Sequence, residues 1–272
     1  MKVRKLVWMA GLMSVVTVTG NAQQVEPVTG SKRLFEDGKQ LFLRHDYAAA
    51  RQTLDRYIKS DATLSYADEA EYMLVCTAYE LGMDDRIAML ESYMESHPDT
   101  RYANRIQSLI ASSYFFDGEY MKAIACYNGC DFDALNNEER EDNIFRLAQS
   151  YLKIGNNEEA SAWFKALQAV GSRYDDDATY NIAYIDYTQG RYDSALKGFE
   201  QVLHSKEYAS LSPYYIADIY LINGNAGKAR GMAEQYLSEY PSSDKRTQME
   251  RIAGEAAYAQ KDYRAATGYL DK

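Results

Sequence analysis

The stretch YYIADIYLINGNAGKARGMAEQYLSEYP, residues 214–241, carries the pattern that decides the fold. Apolar residues recur at helical spacing on both sides of Gly224, and Pro241 follows the second run. A glycine is typical of a helix end, and proline is excluded from a helix interior because it lacks an N–H group. The stretch therefore predicts two helices joined by a short turn.

The centre of this stretch, GNAGKAR at residues 224–230, resembles the end of a phosphate-binding loop. Such a loop follows a strand and needs an earlier glycine and a hydroxyl residue after its lysine. Here Ile222 occupies the first glycine position, Ala229 follows Lys228, and the preceding residues have helical periodicity. We therefore interpret Ala229 as a packing residue and do not predict a nucleotide site.

The same pattern repeats along the chain. Seven alanines, at intervals of 34 to 38 residues, serve as anchors for an alignment: Ala50, Ala88, Ala123, Ala160, Ala195, Ala229 and Ala266. Twelve residues before each anchor stands a small residue: Gly38, Cys76, Ala111, Ala148, Ala183, Ala217 and Gly254. Four residues after the anchors stand Leu54, Tyr127, Phe164, Phe199, Ala233 and Leu270, with Ser92 as the exception. Two helices must approach closely at each small residue.

Glycine and proline mark the ends of the predicted helices. Five residues before four anchors stand Gly118, Gly155, Gly190 and Gly224, where a left-handed residue would end the first helix of a unit. Pro98 and Pro241 follow second helices, Pro213 opens a first helix, and Pro27 precedes the repeats.

This pattern resembles the tetratricopeptide repeat family, and a second clear copy is NIFRLAQSYLKIGNNEEASAWFKAL at residues 143–167. The resemblance covers residues 31–272. It implies an all-α solenoid of about seven helical hairpins in a right-handed superhelix, occupying residues 32–272 with the last repeat incomplete. Residues 238–266 are similar to repeats of periplasmic members that assist outer-membrane assembly and envelope constriction.

The N-terminus has the layout of a secretory signal peptide. Lys2, Arg4 and Lys5 precede an apolar run from Leu6 to Val18, and small residues lead up to Ala22. The run is shorter than the roughly 20 residues that span a bilayer. We expect cleavage after Ala22, a linker over residues 23–31, and an exported protein that is periplasmic or associated with the outer membrane only indirectly.

Composition excludes several classes of function. The 272-residue chain is 46% hydrophobic, with a net charge of −10, and nucleic acid is therefore not an expected partner. Cys76, Cys126 and Cys130 favour buried thiols, although Gly129 leaves a bridge between the last two open. No metal-binding, cofactor-binding or catalytic motif is present, and we expect a protein that is not an enzyme.

Two acidic segments have simple structural interpretations. Asp175, Asp176 and Asp177 are expected to cap a helix and favour its dipole. The segment NNEERED, residues 136–142, is interpreted as a turn and helix start.

The resemblance implies that residues about eight to fifteen positions before an anchor line a concave groove. In the middle of the array these are Phe115, Phe145, Gln149, Tyr180, Tyr184, Tyr187, Tyr214, Asp218 and Leu221. Tyr180, Tyr184 and Tyr187 share one helix face and either line the groove or pack between helices. The cationic residues with which some family members hold a terminal carboxylate are replaced here by aromatic residues and glutamine.

The favoured function is a non-catalytic scaffold of the cell envelope that binds a protein or peptide in the groove. Two alternatives remain open: the recognition arm of a longer chain with a catalytic or membrane domain, and a glycan-binding accessory protein. The sequence ends at YRAATGYLDK, residues 263–272, without a polar capping helix. We therefore expect a truncation or an oligomeric contact at that end.

Overall fold

A computed structural model describes residues 30–60 and 65–271. The predicted signal peptide, Pro27 and most of the predicted linker lie outside these ranges. The first helix begins at Gly30, inside the end of the predicted linker. Within the described ranges no helix is both long enough and apolar enough to cross a membrane.

The described residues form fourteen α-helices and no strand. The helices are α1 (Gly30–Leu43), α2 (Tyr47–Ile58), α3 (Ala67–Glu80), α4 (Arg86–Ser96), α5 (Ala103–Phe116), α6 (Tyr120–Tyr127), α7 (Asn137–Lys153), α8 (Asn157–Ala169), α9 (Asp175–Thr188), α10 (Tyr192–Gln201), α11 (Ser212–Ile222), α12 (Ala226–Glu239), α13 (Arg246–Ala259) and α14 (Tyr263–Leu270). Each helix packs against the next, and a short 3₁₀ turn at Phe132–Ala134 precedes α7. The predicted all-α solenoid of seven hairpins is confirmed.

The small residues of the repeat lie where the two helices of a unit cross. Six of the seven anchor alanines are buried: Ala50, Ala123, Ala160, Ala195, Ala229 and Ala266. A Cβ atom added at Gly38 would lie 2.8 Å from Leu54 Cδ2, and one at Gly254 would lie 2.6 Å from Leu270 Cγ. These distances are shorter than van der Waals contact, and the helices can therefore approach this closely only because the side chain is missing.

The second unit departs from the predicted alignment. Ala88 is exposed, whereas Leu90 and Tyr93, four and seven residues after Arg86, are buried. Five residues, 81–85, separate α3 from α4, whereas three residues separate the helices of the other units. Arg86 therefore takes the anchor position in α4, and choosing Ala88 as an anchor was wrong.

A left-handed residue ends the first helix of every unit. The four predicted glycines are confirmed, with φ angles of 75° at Gly118, 80° at Gly155, 73° at Gly190 and 72° at Gly224. Gly82 takes this position in the second unit. In the first and last units the residues are not glycine: His45 has φ 61° and Lys261 has φ 65°.

The proline positions are confirmed: Pro213 lies in the first turn of α11, while Pro98 and Pro241 follow α4 and α12. The three aspartates lie in the first turn of α9, as predicted for the dipole. They do not cap it, because the N-cap residue is Tyr174 and no side chain makes the cap hydrogen bond.

The cysteines are free thiols in the described chain. Cys130 Sγ donates to the carbonyl oxygen of Cys126 over 3.4 Å. Burial raises the pKa of Cys76 and of Cys130 to about 12. These two thiols therefore remain protonated, and poorly nucleophilic, at neutral pH.

Candidate binding groove

The predicted tyrosine row packs between first helices. Tyr180, Tyr184 and Tyr187 of α9 are half-buried, and each places its ring against Tyr215 of α11, with centroid separations of 6.2, 5.9 and 5.1 Å. Edge-to-face contacts of this kind stabilise a helix interface by about 0.5–1.5 kcal/mol each. The structure thus shows these rings packed against the next unit. Each of the three residues is still partly accessible to solvent.

Asp218 links three consecutive units. It is buried and accepts a hydrogen bond from Tyr187 Oη, 2.7 Å from its Oδ2. Its Oδ1 pairs with Arg251 Nη2 over 3.1 Å. This predicted groove residue therefore holds α9, α11 and α13 together, and its carboxylate is occupied by these partners.

The other predicted groove residues lie in separate packing groups. Phe145 stacks on Tyr174 with ring centroids 4.2 Å apart, and Phe115 contacts Phe116 edge-on at 5.5 Å. The ring of Tyr214 faces Lys245 Nζ at 5.4 Å. Gln149 and Leu221 are half-buried. The structure thus brings Tyr180, Tyr184, Tyr187, Tyr214 and Asp218 together around Tyr215, and leaves Phe115 and Phe145 in earlier units.

Stacked rings recur at the boundaries between units and form what we call the ring ladder. Each pair joins a ring of one first helix to a ring at or just before the start of the next. The centroid separations are 4.5 Å for Phe35–Tyr66, 3.7 Å for Tyr72–Tyr102, 4.2 Å for Phe145–Tyr174 and 4.3 Å for Tyr180–Tyr208. Hydroxyls tie two of these rings to the preceding unit, since Tyr174 donates to Asp142 and Tyr208 donates to Asp177.

The ring ladder is interrupted between the third and fourth units. Ser108 and Glu139 stand at the two ladder positions, and a cavity of about 380 Å³ lies beside them. We call this cavity the polar pocket. It is lined by residues from the α1–α2 turn, α3, α5 and α7, and thus by four successive units.

Sequence reasoning missed the polar pocket. Its lining residues Arg105 and Glu139 are 34 residues apart, which is one repeat length. Neither residue stands at a repeat position that predicted the fold. A comparison of the two ladder positions between units would have found Ser108 and Glu139 where the four stacked pairs have rings. The signal was therefore the absence of aromatic residues at two positions.

Most charged groups of the polar pocket are already paired. Arg105 Nε lies 2.8 Å from Glu139 Oε1, and its Nη1 donates to Tyr72 Oη over 2.7 Å. Arg146 Nη2 lies 3.3 Å from Asp142 Oδ2. Asn143, which is buried, donates to Ser108 Oγ over 2.7 Å. These bonds fix the wall of the pocket.

Glu80 is the exception. Its carboxylate forms no hydrogen bond or ion pair within the described residues, and this exposed residue belongs to the lining of the polar pocket. Partial burial raises the pKa of Glu80, a shift that the more distant charges of Arg105, His45 and Arg146 oppose. An acceptor with free lone pairs is thus available to a ligand.

Exposed apolar side chains recur at the ends of the first helices. Five units carry one within two residues of the left-handed turn: Leu43, Leu81, Phe116, Ile154 and Ile222. Their exposed fractions range from 39% at Ile154 to 60% at Phe116. We call this row the apolar edge. Its recurrence at two adjacent positions before the turn distinguishes it from scattered exposed residues.

The arrangement is suited to binding. Among the described residues no three His, Cys, Asp or Glu side chains are placed to hold a metal ion. The described residues offer rings, an apolar edge and one available carboxylate, which are features of surfaces that bind other molecules.

Comparison with known proteins supplies the fold. No family model and no curated protein matches the chain. Among solved structures, it is similar to the C-terminal part of a tetratricopeptide repeat protein from Cytophaga hutchinsonii, with 18% identity, 87% of this chain and 93% of the other covered, and a TM-score of 0.63. A tetratricopeptide repeat protein from Parabacteroides merdae is 18% identical, with 89% and 91% covered and a TM-score of 0.54. The PilF protein of Pseudomonas aeruginosa is 15% identical, with 81% and 96% covered and a TM-score of 0.57.

These solved structures have the fold that the repeat spacing predicts. The close helix crossings and the left-handed turns of this chain indicate the same fold. The ring ladder and the polar pocket both involve the first helices of the units, which the family resemblance implies to line the concave groove. The chain is an α-solenoid of the tetratricopeptide repeat fold.

Proposed function

We propose that the protein is a non-catalytic scaffold of the cell envelope that binds a protein partner along its concave face. The apolar edge is the observation that carries this proposal. Five apolar side chains, each one or two residues before the left-handed turn of its unit, remain exposed. Exposed apolar rows of this kind are removed from water when a partner binds.

The location in the envelope rests on the sequence. Basic residues, a short apolar run and small residues before a cleavage point form the layout of an exported protein. Export would bring the acidic repeat array into contact with envelope proteins. A partner is therefore expected among proteins of the envelope fraction.

The proposal is tested by quantitative capture from separate envelope and cytoplasmic extracts. The variant replaces Ile154 and Ile222 of the apolar edge with serine. The control replaces two other exposed residues with serine: Met121 in α6 and Val170, directly after α8. Loss of two buried apolar contacts should weaken partner retention roughly tenfold or more. The control should retain the partner.

Equal retention by both variants, or a partner found only in the cytoplasmic extract, would contradict the proposal. Circular dichroism of each variant checks that the helices are intact. Exposed positions are used because substitution of the packed tyrosine row would disturb the interface between α9 and α11.

A further inference from the structure

The polar pocket differs in chemistry from the rest of the concave face. At four of the other five boundaries, stacked rings from adjacent units fill the space between first helices, with separations of 3.7 to 4.5 Å. At the boundary of the sixth and seventh units, Lys245 faces the ring of Tyr214. At the boundary of the third and fourth units, Ser108 and Glu139 leave space for one inserted side chain. A volume of about 380 Å³ is ample for a long side chain with ordered water.

The charges of the polar pocket favour a cation. Its lining carries the carboxylates of Glu80, Glu138, Glu139 and Asp142 against the guanidinium groups of Arg105 and Arg146. Arg173, outside the lining, pairs with Glu138 and Asp142. Carboxylates still outnumber guanidinium groups by four to three when Arg173 is included, and the whole chain has a charge of −10.

The pairing of the charged groups also favours a cationic donor. The guanidinium groups of Arg105 and Arg146 are engaged with Glu139, Tyr72, Asp142 and Ser112. Each of these two guanidinium charges is therefore already balanced by a carboxylate of the pocket. Glu80 has no such bond, and it can accept from a cationic ligand without breaking a contact inside the protein.

We propose that the polar pocket binds an arginine side chain of a partner polypeptide, with Glu80 accepting from its guanidinium group. Arginine fits better than lysine because the guanidinium is planar, donates in a fork to a carboxylate and packs against aromatic faces. Tyr47 and Tyr79 provide two such faces in the lining. This inference rests on the proposed function, since it names the chemistry by which the concave face recognises its partner.

The test uses blocked pentapeptides with alanine on both sides of a central arginine, lysine or citrulline, titrated into the purified protein and followed by ligand-observed NMR. Citrulline has the shape of arginine without its charge. We expect saturable binding of the arginine peptide, and at least roughly fivefold weaker binding of the citrulline peptide, since a charged hydrogen bond is lost.

Two substitutions of the acceptor locate the site. Glu80→Gln keeps the shape of the side chain and should weaken the arginine peptide roughly fivefold or more, whereas Glu80→Lys should abolish its binding. Glu95→Gln, which makes the same charge change on the second helix α4, is the matched control and should bind normally.

The inference is wrong if citrulline binds as tightly as arginine, if Glu80→Gln and Glu95→Gln behave alike, or if the arginine peptide does not bind. Tighter binding of the lysine peptide would overturn the preference for a guanidinium. If Glu80→Gln leaves partner capture intact while serine at Ile154 and Ile222 removes it, the proposed scaffold function stands and this inference alone fails.

Discussion

A single backbone angle separates two kinds of glycine in this protein. Gly155 ends α7 with φ 80°, whereas Gly231 lies inside α12 with helical geometry. A Cβ atom added at either would meet no atom within 4 Å. Any difference between their alanine variants therefore reports backbone conformation rather than packing.

We expect Gly155→Ala to lower the free energy of unfolding by about 1 kcal/mol, since a left-handed angle is unfavourable for a residue with a Cβ. Gly231→Ala should raise it by up to about 1 kcal/mol, because alanine favours a helix interior. Lys261→Gly should also raise it, since Lys261 has φ 65°. Urea unfolding of the three variants measures these changes, and a shift of the same sign at Gly155 and Gly231 would contradict the argument.

Stacked rings and tyrosine hydroxyls link elements of adjacent units. The half-buried hydroxyls of Tyr208 in the ring ladder and of Tyr187, which lies on the same helix as Tyr180, make these links sensitive to alkaline pH. Burial raises the pKa of Tyr208 and Tyr187, and their bonds to Asp177 and Asp218 raise it further. The unfolded phenol has a pKa of about 10, so the unfolded chain ionises first. The contribution of these groups to stability is complete below about pH 10 and decreases as the pH rises above it.

We therefore expect the urea midpoint to fall between about pH 8 and about pH 11, with phenolate absorbance appearing as the protein unfolds. Tyr208→Phe retains the ring that stacks on Tyr180 and removes the hydroxyl that donates to Asp177. Its urea midpoint should depend less steeply on pH than that of the unchanged protein. A midpoint that is constant over this range would show that the ladder hydroxyls do not couple to folding.

At the scale of the whole molecule, the break in the ring ladder divides the array. The linker between α6 and α7, residues 128–136, lies at the same boundary and contains the 3₁₀ turn. Polar bonds such as Arg105–Glu139 replace stacked rings there, and salt weakens polar bonds more than it weakens packed rings. Solenoid stability is a sum over units and their interfaces, so a weaker interface separates blocks.

Hydrogen exchange should therefore resolve two cooperative blocks, α1–α6 and α7–α14, which become more distinct as salt concentration rises. Mass spectrometry of exchanged peptides provides the measurement. A single block from α1 to α14 at every salt concentration would contradict this division.

The sequence predicted those features that local geometry imposes on a residue type. Ala229 must be small where helices cross, and Gly224 must accept a left-handed angle, so both could be assigned from spacing. His45 and Lys261 adopt the same angle without the residue type that marks it. Arg86 was missed because the other units have alanine at the anchor position, and the exposed Ala88 lies only two residues away. The polar pocket is formed by side chains of four units that meet in space, and the sequence of a single unit does not predict it.

That convergence of four units has a mechanical consequence. A superhelix behaves as a spring whose pitch is the sum of small rotations between neighbours. A side chain bound in the polar pocket would contact both the turn after α1 and helix α7. It would therefore restrict rotation at the three interfaces between these four units. Binding at one small cavity would then fix the curvature of the first four units of the superhelix. That curvature would in turn determine the distance between the partner-binding surfaces of these units and those of the remaining three.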